Sequence, residues 1–101
     1  MFNYIWIDDV RPAPEGYIWC KSVNEAKRAI VNSIHLYYSI PRLDIDHDAG
    51  DYAWDGGDYI KVLDWLEEMG YNAVIKIHSM NPVGVENMRA IIRRNGWTEI
   101  K

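Results

Sequence analysis

"RLDIDHDAG", Arg42 to Gly50, sets Asp44, Asp46, His47 and Asp48 into a run that otherwise reads as a strand entering a core. Leu43 and Ile45 alternate with Asp44 and Asp46. A period of two therefore puts the apolar pair on one face and the two carboxylates on the other. Charge is costly in a core, so Asp46, His47 and Asp48 are expected where the strand leaves the sheet. Two other runs end the same way. "FNYIWI" (2–7) is aromatic and β-branched and stops abruptly at Asp8 and Asp9. "AVIKI" (73–77), the most strand-like run of the chain, stops at His78, Ser79 and Asn81.

Between these strands the spacing predicts helices. "RPAPEG" (11–16) is a turn, because two prolines block regular pairing and Gly16 permits a reversal. "YIWC" (17–20) is a short strand. Ser22 then caps a helix, with Glu25 completing a capping box, and Ala26, Ala29, Ile30, Ser33 and Ile34 form its inner stripe. After Pro41 comes "RLDID". Gly56 and Gly57 break the chain before a helix over 59–69, with Ile60, Leu63, Leu66 and Met69 on one face and Gly70 as its stop. A third helix starts near Pro82 to Val85, buries Met88, Ile91 and Ile92, and ends at Gly96; "WTEI" (97–100) is a short last strand. Strands alternating with helices predict an α/β fold, its mostly parallel sheet covered on both faces.

Composition bounds the rest. The 101 residues are expected to form one domain, 1–101, with 49% apolar and 13% aromatic residues, including five Trp and seven Tyr. A net charge of −4 supplies no basic field for long nucleic acid, although a local site can still hold a small phosphorylated ligand. Cys20 stands alone, which excludes an intrachain disulfide and makes a reducing cytoplasm the default. "MFNYIWIDD" lacks the basic start and long apolar run of a secretion signal, and no run reaches membrane-spanning length.

In open parallel α/β sheets, ligands bind beyond the carboxyl ends of the strands. Three polar groups at three such ends are thus expected to meet at one edge. Each group also has a plainer reading. An acidic pair after a strand is often a cap or a turn, but Val10, Arg11 and Pro12 offer Asp8 and Asp9 no helix to cap. Asp44 is expected to pair with Arg42 or a helix lysine, His47 can be a hydrogen-bonded structural histidine, and Ser79 or Asn81 can cap the third helix. Carboxylates this close need a cation, a shared proton or water. Asp8, Asp9 and Asp46 suit Mg²⁺ or Mn²⁺, and His47 with His78 shifts the preference toward a transition metal or makes an acid–base pair. Both readings fit a phosphate ester better than a neutral substrate.

"WIDDVRPAPEGYIW", "LDIDHDAG" with its following "GGDYIKVLDWLEE", and "IHSMNPVGVENM" resemble the cyclic-phosphate-processing receiver domains, a divergent branch of the response-regulator receiver fold. The likeness covers almost the whole chain in order. It implies a small three-layer receiver-like (flavodoxin-like) sandwich with a mostly parallel sheet of four to five strands, reduced by loss of the first receiver helix. It implies that Asp8 and Asp9 match the acidic pair that holds a divalent ion, and Asp46 the aspartate that ordinary receivers phosphorylate. Ser79 falls near the small hydroxyl residue of receivers. His78 with Asn81, and His47 with Asp48, match features of the branch. The "RPAPEG" turn stands where a helix is expected, Ala49 where an aliphatic is expected, and the receiver lysine has no secure equivalent.

The leading expectation is a phosphoesterase-like enzyme acting on a cyclic phosphate or small phosphorylated nucleotide. Asp8, Asp9 and Asp46 position a divalent cation, and Asp46 with His78 and His47 forms the catalytic group. Arg11, Ser79 and Asn81 hold phosphate oxygens, Arg11 being equally placed to pair with Asp48. Trp54, with Tyr52, is placed to stack on a base. The alternatives are a non-catalytic binder that sequesters a nucleotide signal, and a receiver-like interaction module phosphorylated at Asp46.

Overall fold

Three short apolar runs and one half-apolar run form the centre of the molecule. The computed structural model describes residues 2–101, the side chain of residue 2 excepted. The strands are β1 (Phe2–Ile7), β2 (Ile18–Cys20), β3 (Ile40–Ile45), β4 (Val74–Ile77) and β5 (Thr98–Ile100). All neighbours are parallel, in the order β2-β1-β3-β4-β5. The helices are α1 (Val23–His35), α2 (Ile60–Met69) and α3 (Pro82–Asn95), with a short 3₁₀ turn at Gly50–Tyr52. The α/β fold expected from the order of elements is present, in the receiver-like form that the resemblance implies.

Local chemistry sets the ends of these elements. Ser22 Oγ accepts the Glu25 amide at the start of α1. The Glu25 carboxylate reaches one residue further back than a standard capping box and takes the Lys21 amide at 3.1 Å. Asn81 caps α3 through the Gly84 amide, with Pro82 in the first turn. Gly70 and Gly96 end α2 and α3 in the left-handed region. Gly16, at φ +86°, turns the chain into β2.

The helices α1, α2 and α3 each carry the chain in the same direction across the sheet. Right-handed crossovers therefore lay all three on one face. That face buries Ile5, Ile7, Leu43, Ile45 and Ile75 against Val23, Ala26, Ile30, Val62, Leu63, Leu66, Met88 and Ile92 in one cluster. Within α2 the inner residues are Val62, Leu63 and Leu66, whereas Met69, expected on that stripe, is 48% exposed.

The cover expected on the second face is correspondingly thin. The only crossover running the other way is β1 to β2, and it is the Asp8–Tyr17 segment rather than a helix. Tyr17 packs its ring on Tyr4 and edge-on to Trp6, and Tyr4 stays 38% exposed. The third layer is thus reduced to this loop. Asp44 lies on the same face, aligned with Trp6 on one side and Lys76 on the other. It is buried, and its nearest cation is Arg42 Nη2 at 3.9 Å rather than a helix lysine.

Candidate functional site

β1, β3 and β4 are consecutive in the sheet, so their carboxyl ends open on one edge. Asp8 and Asp9 follow β1, Asp46 and His47 follow β3, and His78 follows β4. Ligand atoms from Asp8, Asp9 and Asp46 lie within 4.8 Å of one another. These are the three residues expected to hold a divalent cation, and the backbone brings them together. Asp46 is aligned by its amide donating to the Ile7 carbonyl, while its Oδ1 accepts the His47 amide at 2.7 Å.

The three carboxyls differ in environment. Asp8 is fully buried, and its Oδ1 accepts the amides of Val10 and Arg11 at 3.0 and 2.9 Å. The pair does close a turn, as its plainer reading predicts. Asp8 Oδ2 takes His78 Nε2–H at 2.9 Å, with Arg11 Nε at 3.8 Å. Burial pushes the Asp8 carboxyl upward, but the two amides and His78 outweigh it and hold it below the ordinary value. For Asp9 burial also acts upward, and the charges of Asp8 and Asp46 add to it, so its carboxyl is raised. One backbone feature supports this crowding: a Cβ on Gly50, at φ +53°, would collide with Asp9 Oδ2. Beneath the cluster, burial and the same three carboxylates raise the Tyr59 hydroxyl, which donates to the Lys21 carbonyl at 2.7 Å.

The two histidines are held in different ways. His78 stacks on Trp6 with ring centroids 4.1 Å apart and planes within 10°. Its Nε2 is committed to Asp8, and its Nδ1 is buried without a partner. His47 lies over the first turn of α3, where Gly84 leaves room for it; a Cβ there would sit 2.5 Å from two ring carbons. Its Nδ1 bonds Asp48 at 2.9 Å. An ionised carboxylate can only accept, so that nitrogen carries a proton, and in the neutral ring the lone pair is then on Nε2. Nε2 makes no hydrogen bond and is not among the buried unpartnered atoms.

The remaining expected residues take definite positions. Arg11 pairs with Asp8, not Asp48, and its Nη1 donates to the His78 carbonyl at 2.9 Å. Ser79 Oγ accepts the Asn81 amide. Asn81 is the α3 cap, and its Nδ2 lies 3.4 Å from His47 Nδ1 and 3.5 Å from Asp48 Oδ1. Trp54 is 80% exposed, on a loop tied to α1 through Asp55, which accepts from Ser22 and Asn24 at 2.6 and 3.0 Å. Ala49 is buried in the core, and its amide donates to Asp58. His47, Asp48 and Asp58 form a second group whose ligand atoms lie within 4.8 Å of one another. Burial pushes the Cys20 thiol up to about 12, so it stays neutral and is no nucleophile.

Sequence reasoning did not single out Trp6, Trp19, Lys21, Gly50, Gly84 or Asp58. Gly84, in the first turn of a predicted helix where glycine has no local use, carried the clearest available signal. A concavity of about 320 Å³ lined by Lys27, Arg28, Val31, Asn32 and Trp65 includes none of the site residues.

Among protein families, the description "Cyclic-phosphate processing Receiver domain" matches residues 3–94. A search of curated proteins and a search of solved structures each return no match. The family match spans every strand end described above, from Asp8 to Asn81, and includes all three helices up to Arg94. The chain belongs to the cyclic-phosphate processing receiver domain family.

Proposed function

We propose that this edge of the sheet binds a cyclic phosphate, or a small phosphorylated nucleotide, and hydrolyses its phosphoester. The observation that carries the reading is the convergence of Asp8, Asp9 and Asp46 within 4.8 Å, with Asp9 raised by burial and by its two neighbours. Such a cluster is relieved by a cation, and an all-oxygen donor set suits Mg²⁺ or Mn²⁺. Asp9 and Asp46 fit that role best, with Asp8 adding Oδ2, because the Asp8 Oδ1 is already taken by two amides. A divalent ion there would neutralise phosphate charge and polarise the phosphorus–oxygen bond.

The protein's own groups supply the proton transfers. In hydrolysis a water oxygen bonds to phosphorus, one ester P–O bond breaks, and the leaving oxygen receives, through His47, the proton that the attacking water gives up. His47 is the better base of the two histidines: Asp48 holds its Nδ1–H and leaves Nε2 able to take the water proton. His78, with one nitrogen on Asp8 and the other shielded, positions Asp8 and carries the Arg11 contact at its carbonyl. The shielding of His78 Nδ1 also favours a second reading, a binder that holds the nucleotide without turnover. Asn81 and Ser79 line the mouth, and Trp54 offers an open ring for a base.

The test is a panel of 2′,3′- and 3′,5′-cyclic mononucleotides, cyclic dinucleotides and RNA ending in a 2′,3′-cyclic phosphate, with and without Mg²⁺ or Mn²⁺. Phosphorus NMR is expected to show ring opening of at least one member. Binding of a member that is recovered intact selects the second reading. Folded, metal-supplied protein that neither binds nor opens any member overturns both.

A further inference from the structure

Three carboxylates repel a phosphate, so a protein cation beside any metal would help to hold it. Arg11 is the obvious choice from the sequence, yet its guanidinium is engaged at Asp8 and at the His78 carbonyl. Every ion pair among the described residues is made by an arginine or a histidine. Lys21 is therefore a cation without a carboxylate partner. Its ammonium lies 4.5 Å from the Trp19 ring centroid and 5.8 Å from that of Tyr52.

That location is tied to the acidic cluster through the neighbours of the lysine. Trp19 Nε1 donates to the Asp8 carbonyl at 2.8 Å. The Lys21 carbonyl accepts from the hydroxyl of Tyr59, which is fully buried. Tyr52 follows Gly50, the residue pressed on Asp9 Oδ2. The Glu25 carboxylate, which might have neutralised the ammonium, is turned instead onto the Lys21 amide. Aromatic faces hold an exposed ammonium by a cation–π attraction that is weaker than a charge-assisted bond to phosphate. Two rings thus hold the lysine folded down, with no carboxylate paired to its ammonium.

We infer that Lys21 is the cation that meets the phosphate of the ligand, swinging from the Trp19–Tyr52 cleft toward the acidic edge. The inference rests on the phosphate-binding reading of that edge. It assigns a ligand contact to the end of β2, a strand to which the site reading gave no role. It also limits the ligand to one that brings at least one phosphate oxyanion within reach of the end of β2.

The test uses the full chain and inorganic phosphate as probe, then 2′,3′-cyclic AMP. Stacked over an indole, the Lys21 side-chain methylene protons carry a ring-current shift that can be followed by carbon–proton NMR. Added phosphate is expected to move them toward the values of a free lysine. Lys21→Met, which keeps the apolar stem, is expected to weaken phosphate binding about tenfold, equivalent to about 1.4 kcal/mol. Lys27→Met, on the flank of α1 beside Trp65 and away from the acidic edge, controls for net charge and is expected to change nothing. Unmoved Lys21 signals at saturating phosphate, or equal affinity of Lys21→Met and the wild type, overturn the inference even if cyclic phosphates are opened. Conversely, moved signals with no turnover leave Lys21 in place and count against hydrolysis alone.

Discussion

His47 and His78 end neighbouring strands, and both face carboxylates, yet the protein holds them oppositely. His78 is sandwiched between Trp6 and Asp8 and gives up both nitrogens to the interior. His47 is packed on Gly84 and held by Asp48, with one nitrogen left open. The difference comes from which face of the sheet each continues. His78 follows the polar, thinly covered face that bears Trp6, Asp44 and Lys76, where aromatic and charged side chains must cover one another. His47 follows the helical side, where the first turn of α3 provides a rigid shelf. A histidine closed off on both sides builds structure; one held at a single nitrogen is free to exchange protons.

This contrast is most sharply tested at His47. His47→Gln is expected to lower turnover of a cyclic phosphate about 100-fold or more while leaving the denaturant midpoint nearly unchanged, since general acid–base groups contribute about 10²–10⁴ in rate. A loss confined to KM would make His47 a binding group instead. His78→Ala should do the reverse in stability: it strips the buried Asp8 of a donor and Trp6 of its stacked ring, at an expected cost of about 3 kcal/mol in urea unfolding. If the cost is below 0.5 kcal/mol, roughly that of a surface site, the two histidines are not energetically distinct.

Smaller effects sharpen the same comparison. Gly84→Ala puts a methyl group against the His47 ring, so the ring must move. Overpacking of this kind costs about 1–3 kcal/mol, and activity is expected to fall further than stability alone explains. At the acidic edge the signs of the pH effects differ. Asp8, with its lowered value, stabilises the fold above the unfolded carboxyl pKa, and that contribution is lost as pH falls through its folded value. Asp9, with its raised value, holds its proton more firmly when folded. Its share of stability is full at low pH and is lost as pH rises through the carboxyl range. Mg²⁺ at tenfold excess over its Kd should therefore add about 1.4 kcal/mol at pH 7, less as Asp9 protonates, and little in Asp9→Asn. A gain independent of pH, or undiminished in Asp9→Asn, would place the ion elsewhere.

Much of the framework was legible because it depends on neighbours in sequence. Ser22 and Asn81 cap helices through amides three residues on, and Gly70 and Gly96 end them by backbone conformation alone. Asp8, Asp9 and Asp46 were readable as a group because alternation and abrupt strand ends locate polar residues at the sheet edge. Less could be read of partners. Arg11 was open between phosphate and Asp48, and the fold spends it on Asp8 and the His78 carbonyl. Met69 fitted the apolar stripe of α2 but lies beyond the end of the packed surface.

What the sequence determined by itself is the order of strands and helices, their caps, and the residues delivered to the carboxyl edge, since short-range sterics and hydrogen bonding decide these. Only the tertiary structure decided that His78 reaches Asp8 across the end of β3, that Gly84 makes a seat for His47, that one face of the sheet carries all three helices, and that Lys21 rests between Trp19 and Tyr52. Each of these joins groups from separate elements, and their distances follow from strand order, crossover hand and packing, which no local pattern encodes.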